Sequence, residues 1–453
     1  MQRREFLQRT SAGLAAYLIA PGQWLIAGEQ SPARHYKFRI YRPGKTACKV
    51  TMVTPDDGIY MHTYYDICPW SKSHRYLAVT KLPFQDHDPR YGEAAEVCLI
   101  DLQEQTIRSV YRTRAWGYQL GANLNWGPDD QYLFTNDVID GNGVCVRIDL
   151  HTGETTAFAG PMTHIHPDGS HVVGFPLDLI NASQRGYGMP EVPGRQRSLP
   201  AGEPSTDQGI WRTDLSTNKP RLIASIADFL EKVSNPDDFA GRAFYLFFSK
   251  YNRNGTRCNE FLRCIHPNPE PGQKKWMQMA LSHKPDGSDI VQAVSYGVHP
   301  PSDDWHGWKP DWKPGGHHIA WTPDGDHFTM NLVPDGKTMR FCHFRYDGTN
   351  FKVLSERIRG SGHPTLEKSG RYLVADSYPG EFCALPNKEV PIRLIDLLAD
   401  EETTVCYIYT LGIGGTLRCD PHPCWNHDYT QVCFTGAPEG ERQVFIADLE
   451  SLM

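Results

Sequence analysis

Three histidines of the chain stand at one place in a repeated sequence pattern. His318, His363 and His422 each lie three residues before the position at which the pattern carries Trp or Leu. Imidazole nitrogens bind manganese, zinc and iron, and three of them directed at one point form most of a coordination shell. We therefore expect a divalent-metal site holding manganese or zinc, with a metal-free group of sugar-contacting histidines as the alternative. The candidates for a fourth ligand are His317, His427, Cys342, a glutamine or water.

A second set of residues has the chemistry of proton transfer and charge neutralisation. Tyr187 lies between two glycines, and Arg185 lies two residues before it. A tyrosine can transfer protons, and an arginine can neutralise a carboxylate. His62 precedes the first repeated strand and is another candidate for proton transfer. A turn that Tyr187 merely anchors is the alternative interpretation.

Aromatic and amide side chains supply the candidates for substrate binding. Trp305, His306 and Trp308 belong to a stretch with three tryptophans in eight residues, mixed with charges, which is not the composition of a core strand. Tyr64 precedes the first repeated strand, and Asn123 takes the place of the histidines in the second copy. These side chains could contact sugar rings and hydroxyls. Alternatively, they pack over a blade or satisfy turn backbone.

The elements that must position these residues are β-hairpins. The pattern runs from an apolar strand through Trp or a substitute and a Pro-Asp-Gly type of turn to an alternating strand. Several copies continue into a second hairpin that ends in an apolar-Asp-Leu step, so one copy makes a four-stranded sheet. The seven copies begin at residues 68, 124, 163, 247, 318, 363 and 422. This predicts an all-β, seven-bladed β-propeller with four-stranded antiparallel blades and long loops at 176–209 and 283–316. Two β-sandwiches are the alternative.

The first thirty residues carry a different signal. Arg3 and Arg4 precede Phe6 and an apolar run at 12–20, a pattern that resembles a twin-arginine export signal. An ordinary secretory signal with a chance arginine pair is the alternative. We therefore predict an export signal at 1–30, a single propeller domain at 31–453, and a periplasmic or secreted protein. No segment of the mature chain is long and apolar enough to span a membrane.

Composition excludes other classes. The chain has 46 Lys and Arg against 53 Asp and Glu, a net charge of −7, and it lacks a block of basic residues. A dedicated nucleic-acid binder is therefore not expected. Its 12 cysteines include no CxxC pair, which argues against a disulfide framework or a zinc ribbon. Between residues 185 and 263 there are 12 basic and 9 acidic residues, which favours an anionic substrate on this side.

The phrases that begin at His363 (His-Pro-Thr) and His422 (His-Pro-Cys-Trp-Asn-His-Asp), with the strand at 440–449, resemble the propeller polysaccharide lyases. That group includes oligogalacturonate lyases and seven-bladed ulvan lyases. The resemblance implies a carbon–oxygen lyase that cleaves an acidic, uronate-containing polysaccharide or oligosaccharide by β-elimination. The alternatives are a non-catalytic exported propeller that binds glycans or proteins, and a metal-dependent sugar hydrolase or epimerase.

The resemblance also implies roles for individual residues. Oligogalacturonate lyases hold manganese with three His and a Gln, which implies His318, His363 and His422 as ligands here, while the Gln is not assigned to a residue of this chain. Ulvan lyases use His and Tyr for proton transfer and Arg to neutralise the uronate carboxylate. By that likeness Tyr187 transfers a proton and Arg185 neutralises the carboxylate.

Overall fold

Seven antiparallel sheets form a ring, and each contributes a four-stranded blade. The computed structural model describes residues 24–26, 31–199, 202–233, 236–266, 276–295 and 316–453. Strands dominate, and helices are few and short. The structure confirms the predicted seven-bladed β-propeller.

We number the blades 1 to 7 by the order of their inner strands along the chain. From inner to outer strand, blades 1 to 3 are Ile59–Met61, Tyr76–Leu82, Ala95–Asp101, Thr106–Thr113; Asn125–Trp126, Tyr132–Ile139, Asn142–Asp149, Thr155–Ala157; and His164–Ile165, His171–Gly174, Gly209–Asp214, Lys219–Ser225. Blades 4 and 5 are Ala243–Tyr251, Cys258–Ile265, Trp276–His283, Val291–Ser295; and His317–Trp321, His327–Leu332, Arg340–Arg345, Lys352–Val353. Blades 6 and 7 are Thr365–Leu366, Tyr372–Ala375, Glu389–Asp396, Glu401–Tyr409; and Cys424–Trp425, Gln431–Gly436, Gln443–Asp448, Val50–Met52.

A few further elements decorate this ring. Outer strands Trp24–Ile26, Arg34–His35 and Arg39–Ile40 extend blades 2, 1 and 7, respectively. The short helices are Leu177–Ser183 and Ile226–Leu230, with 3₁₀ turns at Pro236–Phe239, Gly415–Leu417 and Glu450–Leu452. The first helix lies in the long loop predicted at 176–209, whereas most of the loop predicted at 283–316 lies outside the described residues.

The ring is closed by pairing the two ends of the described propeller. Val50–Met52 is the fourth strand of blade 7 and pairs antiparallel with Gln443–Asp448, with Met52 opposite Phe445. Because the outer strand of the last blade comes from the start of the chain, the closure fixes blade 7 against blade 1 and covers an open sheet edge.

The repeated tryptophan explains part of the sequence pattern. In three copies its indole N–H donates to a backbone carbonyl of the preceding blade. The pairs are Trp126 with Pro69 at 2.8 Å, Trp321 with Lys250 at 3.0 Å, and Trp425 with Thr365 at 3.3 Å. The position recurs because it joins neighbouring blades.

The recurring aspartate of the apolar-Asp-Leu step is a turn residue. Asp149 Oδ1 accepts the backbone N–H of His151 and Thr152, at 2.9 and 3.0 Å. The same Asx-type capping occurs at Asp101, Asp214 and Asp396. A short acidic side chain in this place satisfies the tight turn between the two outer strands. These carboxylates are therefore structural.

All 12 cysteines are unpaired in the structure, and most are buried. No helix among the described residues is long and apolar enough to cross a membrane. The export signal predicted at 1–30 lies outside the described residues except for Trp24–Ile26, so it stays a prediction.

Candidate functional site

The predicted histidines sit where the chain enters the inner strands of blades 5, 6 and 7. His318 and His422 adopt φ of 59° and 53°, and Asn123 adopts 51° at the equivalent place in blade 2. Asn and His are among the few non-glycine residues that tolerate this left-handed conformation. The same backbone turn thus recurs around the ring, at one mouth of its central channel.

The three imidazoles lie in contact. The ring centroids of His318 and His363 are 3.9 Å apart, and those of His363 and His422 are 4.3 Å apart. The Tyr378 hydroxyl is 3.4 Å from Nε2 of both His318 and His363. Three blades therefore bring three histidines and a tyrosine to one point.

One buried carboxylate orients two of these histidines. His363 Nδ1 lies 2.8 and 3.0 Å from the two oxygens of Asp376. The backbone N–H groups of His363 and His422 donate to the same carboxylate, at 2.8 and 3.0 Å. Because Nδ1 of His363 donates to Asp376, its Nε2 carries the lone pair that faces the mouth.

The other two imidazoles also present a free nitrogen. His318 Nδ1 is 2.8 Å from the Gly362 carbonyl, which can only accept, so this nitrogen carries the hydrogen and Nε2 does not. The neighbouring His317 Nδ1, at 2.6 Å, accepts from the same N–H. His422 Nε2 is buried and has no hydrogen-bond partner. An unpartnered buried nitrogen is costly unless a ligand satisfies it.

Burial keeps His317, His318 and His422 neutral. It lowers the pKa of His318 and of His422 well below the usual value, and the adjacent His363 lowers both further. Burial also lowers the pKa of His317 to about 3. At neutral pH the lone pairs are therefore free to bind a cation or accept a proton.

A compact group of ligand atoms forms at this mouth. Atoms of His363, Asp420 and His422 all lie within 4.8 Å of one another, and the three residues are buried. His422 Nε2 is 3.9 Å from Asp420 Oδ2. Two imidazoles, one of them with an unsatisfied nitrogen, and one carboxylate fit a divalent cation that prefers nitrogen and oxygen ligands. Asp420 was not among the sequence-based candidates, although it lies only two residues before His422.

The residues predicted as candidates for a fourth ligand lie in different parts of the propeller. His317 is at the mouth, beside His318. His427 lies beyond the other end of its inner strand, with Nε2 3.2 Å from the Trp70 carbonyl. Cys342 is buried within blade 5, where its thiol donates to the Arg340 carbonyl.

Two residues that the sequence analysis did not connect, Arg418 and Tyr187, lie beside the His363–Asp420–His422 group. Arg418 Nε donates to Asp420 at 2.7 Å, and its Nη2 donates to the Tyr187 hydroxyl at 2.9 Å. Tyr187 in turn lies 3.4 Å from the Gln119 side-chain oxygen. The structure thus brings Tyr187 to the histidines through Arg418, which sequence analysis missed. The only signal was its place in the segment that leads to His422.

Arg185 occupies a different position. It is exposed, and its nearest charged partner is Asp88, at 3.9 Å. It lines an open cavity of about 590 Å³ together with Arg90, Trp116 and Gly186. Gly186, the residue before Tyr187, lines this cavity, whereas Tyr187 and Arg418 do not. The structure therefore places Arg185 on the rim and Arg418 at the centre.

His62 and Tyr64 lie beneath the histidines. His62 is buried with both ring nitrogens engaged, by the Thr435 hydroxyl at 2.9 Å and the His422 carbonyl at 2.7 Å. Burial lowers the pKa of His62 to about 4. The Tyr64 ring packs 4.4 Å from that of His422, and its buried hydroxyl has no partner. His62 is thus placed to support His422, whereas Tyr64 retains an unsatisfied hydroxyl.

Of the residues predicted to bind substrate, the structure describes Asn123 but not the tryptophan-rich stretch. The Asn123 amide donates to the backbone carbonyls of Met162 and Thr163, at 3.0 and 3.1 Å, so it joins blade 2 to blade 3. Trp305, His306 and Trp308 lie outside the described residues, so their role stays a prediction.

These features define a seven-bladed propeller with a histidine, carboxylate and arginine cluster at one mouth. Its fold is similar to that of an oligogalacturonate lyase in complex with manganese, with 18% identity, a TM-score of 0.59 and coverage of 94% of this chain and 99% of that one. It is also similar to an oligogalacturonate lyase from Vibrio parahaemolyticus, with 15% identity, a TM-score of 0.60 and coverage of 94% and 100%. The β-propeller domain of the Trilobed protease from Pyrococcus furiosus matches at 10% identity and a TM-score of 0.47, over 86% and 96%. No protein-family model and no curated protein matches the chain significantly.

At these identities the comparisons establish the fold and its extent. Both lyases match over nearly their whole length, so the resemblance is to a complete propeller. What this chain does must be argued from its own mouth residues.

Proposed function

We propose that the chain is a metal-dependent lyase that cleaves a uronate-containing oligosaccharide or polysaccharide by β-elimination. The observation that carries the proposal is the contact of Arg418 with both Tyr187 and Asp420, beside the His363–Asp420–His422 group. One site then combines a cation-binding group, a guanidinium and a proton-transferring hydroxyl. Two lyases with the same fold act on oligogalacturonate by name, and one holds manganese.

His363, Asp420 and His422 would hold the metal. When bound, a divalent cation there would supply Lewis-acid stabilisation of negative charge on the uronate. Asp376 fixes the directions of His363 and His422 through its contacts with them. This arrangement limits the reorganisation needed at the site.

Arg418 is the residue that we assign to the uronate carboxylate. A guanidinium has five N–H groups, and three of them are used by Asp420, Tyr187 and the Gly415 carbonyl. The remaining two can bind a carboxylate. Neutralising that carboxylate makes the adjacent C5 proton easier to remove, because charge develops there as the proton leaves. Arg185 and Arg90, which line the open cavity with Gly186, would bind neighbouring acidic sugars.

His318 is the residue that we assign as the base. Its Nδ1–H is held by Gly362, so the unprotonated Nε2 can accept the C5 proton. As the C5–H bond breaks, its electron pair forms the C4–C5 double bond and the C4–O bond breaks. The departing glycosidic oxygen takes a proton from the Tyr187 hydroxyl or from water. The products are a saturated sugar end and an unsaturated uronate.

The test is the ultraviolet absorbance of unsaturated uronate. Purified protein loaded with manganese is incubated separately with oligogalacturonates, ulvan and glycosaminoglycans, and we expect a time-dependent rise on at least one. Saturable binding without product would favour a binding propeller. Shortened products without the double bond would favour a hydrolase. Either result would overturn the lyase proposal.

The cellular location belongs to the same proposal. A twin-arginine signal exports proteins that are already folded, so metal binding in the cytosol would precede export to the periplasm. Fractionation of cells that express the full chain, with Arg3 and Arg4 both changed to Lys as the control, tests this. Accumulation of that variant outside the cytosol would contradict it.

A further inference from the structure

A second group of metal-ligating side chains lies inside blade 4. Cys258, Glu260 and His283 are each fully buried. Cys258 and His283 are directly opposite each other on paired antiparallel strands. Glu260 is two residues beyond Cys258 and therefore shares its face of the sheet. The register alone thus brings a thiol, a carboxyl and an imidazole together.

The distances between their ligand atoms match a tetrahedral site. Glu260 Oε1 is 3.5 Å from Cys258 Sγ and 3.2 Å from His283 Nε2, and the three ligand atoms lie within 4.8 Å of one another. Ligands at about 2.0–2.3 Å from a tetrahedral zinc ion are separated by about 3.3–3.6 Å. The two closest separations therefore agree with two edges of such a tetrahedron.

Neighbouring contacts orient two of these residues toward a common point. His283 Nδ1 is 2.7 Å from the Lys284 carbonyl, so Nδ1 carries the hydrogen and the Nε2 lone pair faces Glu260. The Ser249 hydroxyl donates to the other oxygen of Glu260, at 2.8 Å. Supporting hydrogen bonds of this kind are typical of metal-binding histidines and carboxylates.

The charges of the ligands match a divalent cation once both acidic protons have left. A thiolate and a carboxylate carry two negative charges, and a neutral imidazole adds none. Burial raises the pKa of the Cys258 thiol and of the Glu260 carboxyl, because the anions lose their hydration. A divalent cation would balance both charges within the buried group.

We propose that blade 4 holds a structural zinc ion, bound by Cys258, Glu260 and His283 and separate from the mouth of the channel. The ion would join two adjacent strands of the blade, Cys258–Ile265 and Trp276–His283. A soft thiolate favours zinc over manganese, so the two sites would select different metals.

Cobalt substitution tests the proposal with a signal that the mouth group lacks. The protein is produced with cobalt in place of zinc, and its near-ultraviolet charge-transfer band between thiolate and cobalt is measured. We expect the band in the wild type and in His422→Ala, and its loss in Cys258→Ser. Cys264→Ser, which changes another buried cysteine on the same strand, is the matched control and should keep the band. No band in the wild type, or a band that survives Cys258→Ser, would overturn the proposal.

Metal content gives an independent test that does not require the variants to fold. Wild-type protein produced with zinc should retain one equivalent after dialysis against a chelator, because the group is enclosed. X-ray absorption of that sample should show one sulfur in the zinc shell. Folded wild type without zinc, or zinc with nitrogen and oxygen neighbours alone, would contradict the blade 4 site.

Discussion

Blades 2 and 5 use the same scaffold at the mouth but leave different groups free. In blade 2, Asn136 and Asn123 both donate to the Met162 carbonyl, at 2.8 and 3.0 Å. In blade 5, Asn331 donates to the Gly362 carbonyl at 2.7 Å, and the second contact, at 2.8 Å, comes from His318.

Asn123 and His318 differ in the side-chain atoms that are still available after this contact is made. The Asn123 amide is used on Met162 and Thr163, whereas His318 holds Gly362 with Nδ1 and keeps Nε2 unprotonated, 3.4 Å from the Tyr378 hydroxyl. Exchanging asparagine for histidine at this position thus adds a chemical group without altering the backbone contact. Asn123 thus joins blade 2 to blade 3, whereas His318 joins blade 5 to blade 6 and also presents an unprotonated nitrogen.

The exchange His318→Asn tests this comparison most severely. It converts the blade 5 position to the blade 2 state, keeps a donor for Gly362 and removes the proposed base. We expect kcat/KM for elimination to fall about 10²–10⁴-fold. The thermal midpoint should change little. A variant that keeps wild-type activity would show that Nε2 of His318 takes no part.

Replacing Arg418 should have the next largest effect. Arg418→Ala removes the guanidinium that we assign to the uronate, and we expect kcat/KM to fall about 10²–10³-fold. Arg418→Lys should recover only part, because an ammonium lacks the planar pair of donors. The matched control is Arg185→Ala on the rim, for which we expect a smaller loss, mainly in KM. The reverse order of the two losses would return the neutralising role to Arg185.

Asp376→Asn tests the buried carboxylate that accepts hydrogen bonds from His363 and His422. The amide cannot accept from His363 and His422 as a carboxylate does, so we expect manganese affinity to fall about 10–100-fold. Titration of metal-free protein followed by electron paramagnetic resonance measures this. Asp396→Asn, at an exposed turn, should leave the affinity unchanged. Equal affinity in wild type and Asp376→Asn would argue against a metal on His363 and His422.

Acid should destabilise the end of the channel opposite the histidines through His164. Its Nδ1 accepts the Tyr251 N–H at 3.2 Å, and burial lowers the pKa of His164 to about 3. The unfolded chain therefore binds this proton first, so stability is complete above about pH 6.5 and falls as the pH drops toward 3. We expect a loss of about 1–2 kcal/mol between pH 7 and pH 5 from this residue.

Urea unfolding of wild type and His164→Asn at both pH values measures the difference. Asparagine offers an acceptor for Tyr251 that does not titrate, so the variant should lose less stability in acid. Identical losses in the two proteins would assign the acid sensitivity to other groups.

The smallest effect is expected at Asn123. Asn123→Ala removes the amide that donates to the Thr163 carbonyl and one of the two amides that donate to the Met162 carbonyl, which should cost about 1–2 kcal/mol of stability. Because the blade 2 side is structural, kcat should stay near the wild-type value. A large loss of kcat at unchanged stability would instead make Asn123 a substrate-binding residue.

The sequence predicted the fold because the blades repeat. The repeated Trp and Asp positions make the same contacts from blade to blade, as at Trp425 and Asp149, so their spacing is visible without a structure. The convergence of His318, His363 and His422 followed from their shared position in the repeat.

The rest of the site depends on contacts between different blades and loops. Arg418 and Tyr187 are 231 residues apart, and Asp376 reaches His422 from blade 6. Neither Arg418 nor Tyr187 occupies a repeated position, so the pattern could not connect them. Arg185 is the sequence-based candidate because it lies close to Tyr187 in sequence, and proximity along the chain does not determine which arginine enters the mouth.

The most direct measurement compares wild type with His318→Asn on the uronate substrate that gives the fastest reaction. Both proteins are loaded with manganese, and the absorbance of unsaturated product is followed at equal concentrations. A rise that is at least about 100-fold slower in the variant, at similar thermal stability, is the expected result. Equal rates, or no unsaturated product from the wild type on any uronate glycan, would contradict a lyase site among these histidines.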